Sequence, residues 1–222
     1  MFEAVFPCPV VGKSIMQRLI SQIPKLLLVS VIIAVEPNAN GLLGYSALAL
    51  DTVETNEMKS NGLKPGDPVG TFRVIKVAGA EDDGVEVGQS LCYRCRYGSS
   101  PIVMVFAKQS SKEIDPLISA LEKSLTIHEA EKLRAFVIVV GDDLAKLKEK
   151  AASVVERTGV KKIPVVVTED STSGPLDYQL SAADDITVVI ARDSQVFAVE
   201  VISIDQVEPN QILTQVEVML KE

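Results

Sequence analysis

The chain has 222 residues, a formal net charge of −8, 47% hydrophobic residues and 23% charged residues. That balance excludes a disordered chain. An acidic body with no basic stripe and no Trp also excludes a protein that binds nucleic acid by neutralising phosphates or stacking bases. The first fifty residues carry only Lys13, Arg18, Lys25, Glu3 and Glu36 as formal charges. The acidity therefore belongs to the remainder, whose length suits one domain with a sizeable core.

Residues 1–49 read as an export signal or an N-terminal anchor, with Met16 as an alternative start. Met16-Gln17-Arg18 and Lys25 make a short basic region, and Leu26 to Val35 is an apolar run broken only by Ser30. Basic, then apolar, then small residues is the order of a secretory signal. Candidate cleavage sites are Ala47-Leu48-Ala49 and the region of Ala39. The apolar run is shorter than the about 20 residues of a membrane span. A buried N-terminal helix is the structural alternative. Residues 50–64 are polar and read as a linker before the domain at 65–222.

Pro65-Gly66-Asp67-Pro68 punctuates the chain. Val69 to Val77 is expected to be a strand, with Phe72, Val74 and Val77 in rough alternation. Gly79 to Gly84 is expected to turn, and Val85 to Val87 to return as a short second strand. Leu91 to Gly98 then holds Cys92-Tyr93-Arg94-Cys95-Arg96-Tyr97. Ile102 to Ala107 is a continuous apolar run, as expected of a strand buried on both faces.

Ile114, Leu117, Ile118, Leu121 and Leu125 recur at helical spacing. That helix could start with Asp115 as its cap and Pro116 as its first residue, or with a Ser110-x-x-Glu113 capping box. Phe136 to Val140 is a second buried strand. Leu144, Leu147, Ala151 and Val154 mark a second helix, stopped at Gly159. Ile163 to Val167 is a third apolar run. Ile186 to Ala191 and Val196 to Ile202 are expected to pair as a hairpin across four residues, Arg192 to Gln195. Pro209 opens a last helix with Ile212, Leu213, Val216, Met219 and Leu220 on its apolar face.

This βαβα order, followed by a β-run, a hairpin and a C-terminal helix, resembles the thioredoxin-like superfamily. Gly66-Asp67-Pro68 with Phe72 and Val74 is similar to the lead-in of its redoxin and peroxiredoxin-like branch. So are Ile163-Pro164-Val165-Val166-Val167, Tyr178, and Ile186-Thr187-Val188-Val189-Ile190. The resemblance covers roughly 65–222. It implies an α/β fold with a central mixed β-sheet flanked by helices, here with an N-terminal β-hairpin extension.

The resemblance also implies a redox cysteine after the first central strand and a cis-proline before the late hairpin. This chain has neither in place. Lys108-Gln109-Ser110-Ser111 holds no Cys, and Asp184-Asp185-Ile186-Thr187 holds no Pro, with Ile163-Pro164 a rival for the cis bond. The Cys pair precedes the strand instead. Six or seven residues of strand advance roughly 20 Å at about 3.3 Å each. Cys92 and Cys95 are therefore expected near the end of the sheet opposite the family's site.

Three readings of the pair stay open. It is a thiol–disulfide redox site, with Cys92 and Cys95 as the reacting groups and Arg94 and Arg96 favouring thiolate. It is a structural disulfide in a non-catalytic binding module. Or it is half of a metal site shared across a dimer, since zinc normally takes four ligands and two thiols supply half. No cofactor and no metal held by one chain is expected. His128, the sole histidine, reads as a loop residue, and Arg96 stands where a haem-attachment motif needs His.

Tyr93 and Tyr97 flank the pair as packing residues or as a docking surface. Asp143 with Asp142 reads as a helix cap, Asp184-Asp185 as a turn, and Lys108 as solvated or as an anion contact. The expected partner is another protein carrying a thiol or disulfide. The membrane enters only through the N-terminal segment, and the expected location is periplasmic or secreted.

Overall fold

The computed structural model describes residues 62–108, 111–169, 174–181 and 183–222. Residues 1–49, expected as an export signal or anchor, the expected linker up to residue 61, and Ser110 of the expected capping box lie outside them. No helix among the described residues is long and apolar enough to cross a membrane.

Ile102–Ala107 forms strand β3, and all six of its residues are buried. It can be buried on both faces because it lies between two other strands and carries no polar side chain. It pairs in parallel with β4 (Arg134–Val139), which pairs in parallel with β5 (Val165–Thr168). On its other side it pairs antiparallel with β6 (Ile186–Arg192), which turns back into β7 (Gln195–Ile202). Ahead of them in the chain, β1 (Val74–Ala78) and β2 (Ser90–Leu91) form an antiparallel pair. β1 docks antiparallel on β5, so the early hairpin extends the sheet, whose order is β2-β1-β5-β4-β3-β6-β7.

The strand period of two sorts the core into two faces. Val103, Val105 and Ala107 face one cluster, which also holds buried residues of three long helices. These are α2 (Asp115–Ile127), α3 (Leu144–Thr158) and α4 (Pro209–Lys221). Their predicted stripes largely hold, with Leu117, Ile118 and Leu121 fully buried on α2. Each such side chain contributes about 1.5–3 kcal/mol on leaving water. Leu144 is an exception and lies exposed at the start of α3.

Ile102, Met104 and Phe106 face the other side. That side is covered by a five-residue helix, α1 (Tyr93–Tyr97), by the lead-in around Leu63 and Val69, and by Tyr178. The Cys motif thus lies across the sheet from the three long helices.

Several local expectations change. Val85 to Val87 is not the return strand; Ser90–Leu91 is. The backbone N–H and carbonyl of Val85 are taken by the Asp83 carboxylate and the Lys76 ammonium, so they are not offered to a ladder. Asp115 does not cap α2. Its carboxylate receives two 2.8 Å hydrogen bonds from Arg157 of α3. The β6–β7 connection has two residues, Asp193 and Ser194, with φ of 51° and 68°. Two positive values in sequence suit the twist of a tight hairpin. No cis peptide bond occurs among the described residues, so Ile163–Pro164 is trans.

Candidate functional site

Cys92 has extended backbone and stands at the N-cap of α1. Its sulfur accepts a hydrogen bond from the Cys95 backbone N–H at 3.1 Å. One helical turn brings the two Cα atoms to 5.2 Å, and the cysteines are joined as a disulfide. Cys95 is exposed, whereas Cys92 is only partly so.

A five-residue helix has too few internal hydrogen bonds to persist alone, and two tyrosines hold this one down. Tyr93 is 1% exposed, and its ring packs 5.6 Å from Phe136 and 5.5 Å from Tyr97. Tyr97 in turn meets Phe136 at 6.3 Å and lies under the Arg134 guanidinium at 5.9 Å. Phe72, Phe106 and Tyr178 continue the aromatic layer. Both tyrosines therefore pack into this layer, Tyr93 buried and Tyr97 partly so.

Polar groups that sequence patterning did not single out complete the anchor. Lys76 of β1 is 2% exposed. Its ammonium donates to the Ala80 carbonyl at 2.8 Å, the Asp83 carboxylate at 2.7 Å and the Val85 carbonyl at 2.8 Å. All three of its protons are thereby used. The other oxygen of Asp83 accepts the Tyr93 hydroxyl at 2.5 Å. Burial pushes the Asp83 carboxyl up, but Lys76, Tyr93 and the Val85 N–H together outweigh it and hold the group below the usual aspartate range. Burial first, and then the Asp83 charge, pushes the Tyr93 hydroxyl far up, so it stays a donor.

The two arginines differ. Arg96 donates to the Asp83 backbone carbonyl, which commits its guanidinium to the β1–β2 loop. Arg94 is half-buried on the Tyr178 side of the helix and forms no ion pair among the described residues. Of the two expected thiolate-stabilising cations, Arg94 is the one whose guanidinium has no hydrogen bond or ion pair among the described residues.

The register corrects the expected distance from the family's usual position. Leu91, the residue before Cys92, pairs with Val74, and Val74 pairs with Thr168 at the C-terminal end of β5. Cys92 therefore starts level with the C-terminal ends of the parallel strands, not at the opposite end. What separates it from Lys108 is breadth, since β2 and β3 are four strand spacings apart, about 19 Å. The length of β3 alone carries no information on the lateral order of strands, in which β2 is an edge strand.

Lys108 donates its ammonium to the Ser181 carbonyl. Asp143 caps α3 through the N–H groups of Ala145 and Lys146. Asp185 accepts the Ile204 N–H at 3.1 Å. His128 follows the last turn of α2, with Nδ1 3.9 Å from Glu131. No cluster of three or more His, Cys, Asp or Glu able to hold a metal occurs among the described residues.

No protein-family model and no curated protein matches the sequence. Solved structures do match the fold. A Chlorobium tepidum protein assigned as thiol:disulfide interchange protein DsbE is 11% identical, with a TM-score of 0.52 over 71% of this chain and 99% of that one. Mycobacterium tuberculosis AhpC is 11% identical, with a TM-score of 0.51 over 71% and 93%. A peroxiredoxin 6 variant from Arenicola marina is 15% identical, with a TM-score of 0.52 over 71% and 74%. At these identities the likeness speaks for architecture alone. With the mixed sheet, the order of its elements and these neighbours together, the chain has the thioredoxin-like fold of the redoxins and peroxiredoxins.

Proposed function

We propose that this is an exported thioredoxin-like protein that exchanges disulfides with a protein partner through Cys92 and Cys95. The observation that carries the proposal is the pairing of the two sulfurs across one turn of α1, with Cys95 exposed. The thiol:disulfide interchange named for the Chlorobium tepidum neighbour supports it. So does the basic-then-apolar N-terminal sequence, since a disulfide persists in an oxidising compartment.

Exchange would proceed at the exposed sulfur. A partner thiolate attacks Cys95, forming a mixed disulfide and releasing Cys92 as thiolate. A second partner thiolate then attacks the partner sulfur and releases Cys95 as thiolate. The partner's two thiols become one disulfide, while two electrons and, after protonation, two protons pass to the pair. Arg94 favours the thiolate products. Cys92→Ser should leave Cys95 able to hold a partner as a stable mixed disulfide, and Cys95→Ser should trap far less. Equal trapping by both variants would contradict the assignment of Cys95 as the facing sulfur.

A second reading is a structural clip in a non-catalytic binding module. The burial of Tyr93 between the two cysteines favours it, because a cross-link there would hold an otherwise unstable helix. The reduction potential separates the two readings. A structural bond typically lies below about −300 mV, and an exchanging one above it.

A further inference from the structure

We infer that Asp83 is a positioning residue for the Cys92–Cys95 pair, and that its contacts set how readily the disulfide is reduced. The inference rests on the pairing of the two cysteines and deepens the exchange reading.

The residue immediately after each cysteine reaches Asp83. Tyr93 follows Cys92 and gives its hydroxyl to the Asp83 carboxylate at 2.5 Å. Arg96 follows Cys95 and gives its guanidinium to the Asp83 carbonyl. Asp83 is itself fixed by a hydrogen bond of 2.7 Å from buried Lys76, and its carboxylate also accepts the Val85 N–H at 2.8 Å. One residue of the β1–β2 loop thus holds both halves of the Cys-x-x-Cys turn.

The consequence follows from chain entropy. Forming the bond converts two thiols and an oxidised partner R–S–S–R into the Cys92–Cys95 disulfide and two R–SH. The internal cost is bringing Cys92 and Cys95 together. A clamp present in both redox states pre-pays part of that ordering and raises the effective concentration of one thiol at the other. If the clamp is cut, the dithiol explores more conformations and the disulfide loses stability relative to it. The hydrogen bond itself cancels between the two redox states, and freeing the backbone of one residue that it orders corresponds to about tenfold in an equilibrium constant, or about 30 mV for this two-electron couple.

The test is redox titration of the full chain against glutathione and, below its range, against dithiol buffers, in a Cys8→Ser background so that the two thiols counted are Cys92 and Cys95. Tyr93→Phe keeps the ring and the Lys76–Asp83 pair and removes only the hydroxyl. It should shift the equilibrium about tenfold toward the dithiol, and Asp83→Asn should shift it in the same direction. Leu121→Ala, which destabilises the core on the other face, should leave the equilibrium within twofold of the parent. A Tyr93→Phe equilibrium within twofold of the parent would overturn the inference. So would an equal shift in Leu121→Ala, which would mark a general stability effect. Whether glutathione reduces the parent pair at all is a separate readout that bears on the exchange proposal, while the ratio between variants decides the clamp.

Discussion

Replacing Lys76 by Met tests the polar anchor beneath the Cys motif. Methionine keeps the apolar stem and much of the volume of lysine but removes the ammonium. Three hydrogen bonds of 2.7–2.8 Å are lost, and the Asp83 charge and the Ala80 and Val85 carbonyls lose their donor. Both ionic side chains are well shielded, at 2% exposed for Lys76 and 13% for Asp83, so solvent screens them little. Removing one partner of such a pair costs about 3–5 kcal/mol, chiefly because the other charge stays buried and unpaired. At about 2–4 °C per kcal/mol for a chain of this size, Tm should fall by about 6–20 °C. Thermal unfolding followed by circular dichroism measures it. Adding Asp83→Asn to Lys76→Met removes the stranded charge and should restore at least about 1 kcal/mol. A Lys76→Met protein within about 1 kcal/mol of wild type, or a double variant whose losses simply add, would refute the reasoning.

Other consequences are as direct. The folded Asp83 carboxyl is depressed below its ordinary value of 3.8, because its hydrogen bonds outweigh burial. Its contribution to stability is therefore full from about pH 5 upward and lost as pH falls through 3.8 and past the lower folded value. Urea denaturation of Asp83→Asn over that range should show a shallower acid loss than wild type, and parallel curves would contradict this. Gly79 has φ of +73°, and a Cβ there would sit 2.2 Å from the Ile163 carbonyl oxygen. Gly79→Ala should cost at least about 2 kcal/mol in chemical denaturation. Arg157→Ala removes two hydrogen bonds to Asp115, but the two side chains are 32% and 20% exposed, so the loss should be about 1 kcal/mol.

Most of the sheet was legible because its central strands are short, uninterrupted apolar runs and its long helices carry apolar stripes at helical spacing. Ile102–Ala107 and the buried positions of α2 follow from that patterning. The early hairpin was harder. Its apolar phase shifts at Lys76, which occupies an inward position beside Val74, and a lysine reads as outward by default. The usable signal was a lysine in phase with inward residues, five to seven positions before Glu81-Asp82-Asp83. Without that partner, patterning puts the return strand at Val85 to Val87, where Val85's backbone serves the ion pair instead.

The Cys pair itself was found from the sequence, since its spacing is local. Its lateral place in the sheet was not, because strand order is set by pairings far apart in the chain. Leu91 reaches its level only through Val74 and Thr168. The same limit hid Asp83, whose contacts with Tyr93 and Arg96 need the loop to fold back over α1.

The reduction potential of Cys92–Cys95 tests the central claim most directly. It is measured by equilibrating the full chain with glutathione or dithiol buffers and trapping free thiols, with Cys92→Ser and Cys95→Ser as controls. A potential less negative than about −300 mV is the result expected of a pair that exchanges with partners, and a more negative one would contradict exchange and leave a structural bond.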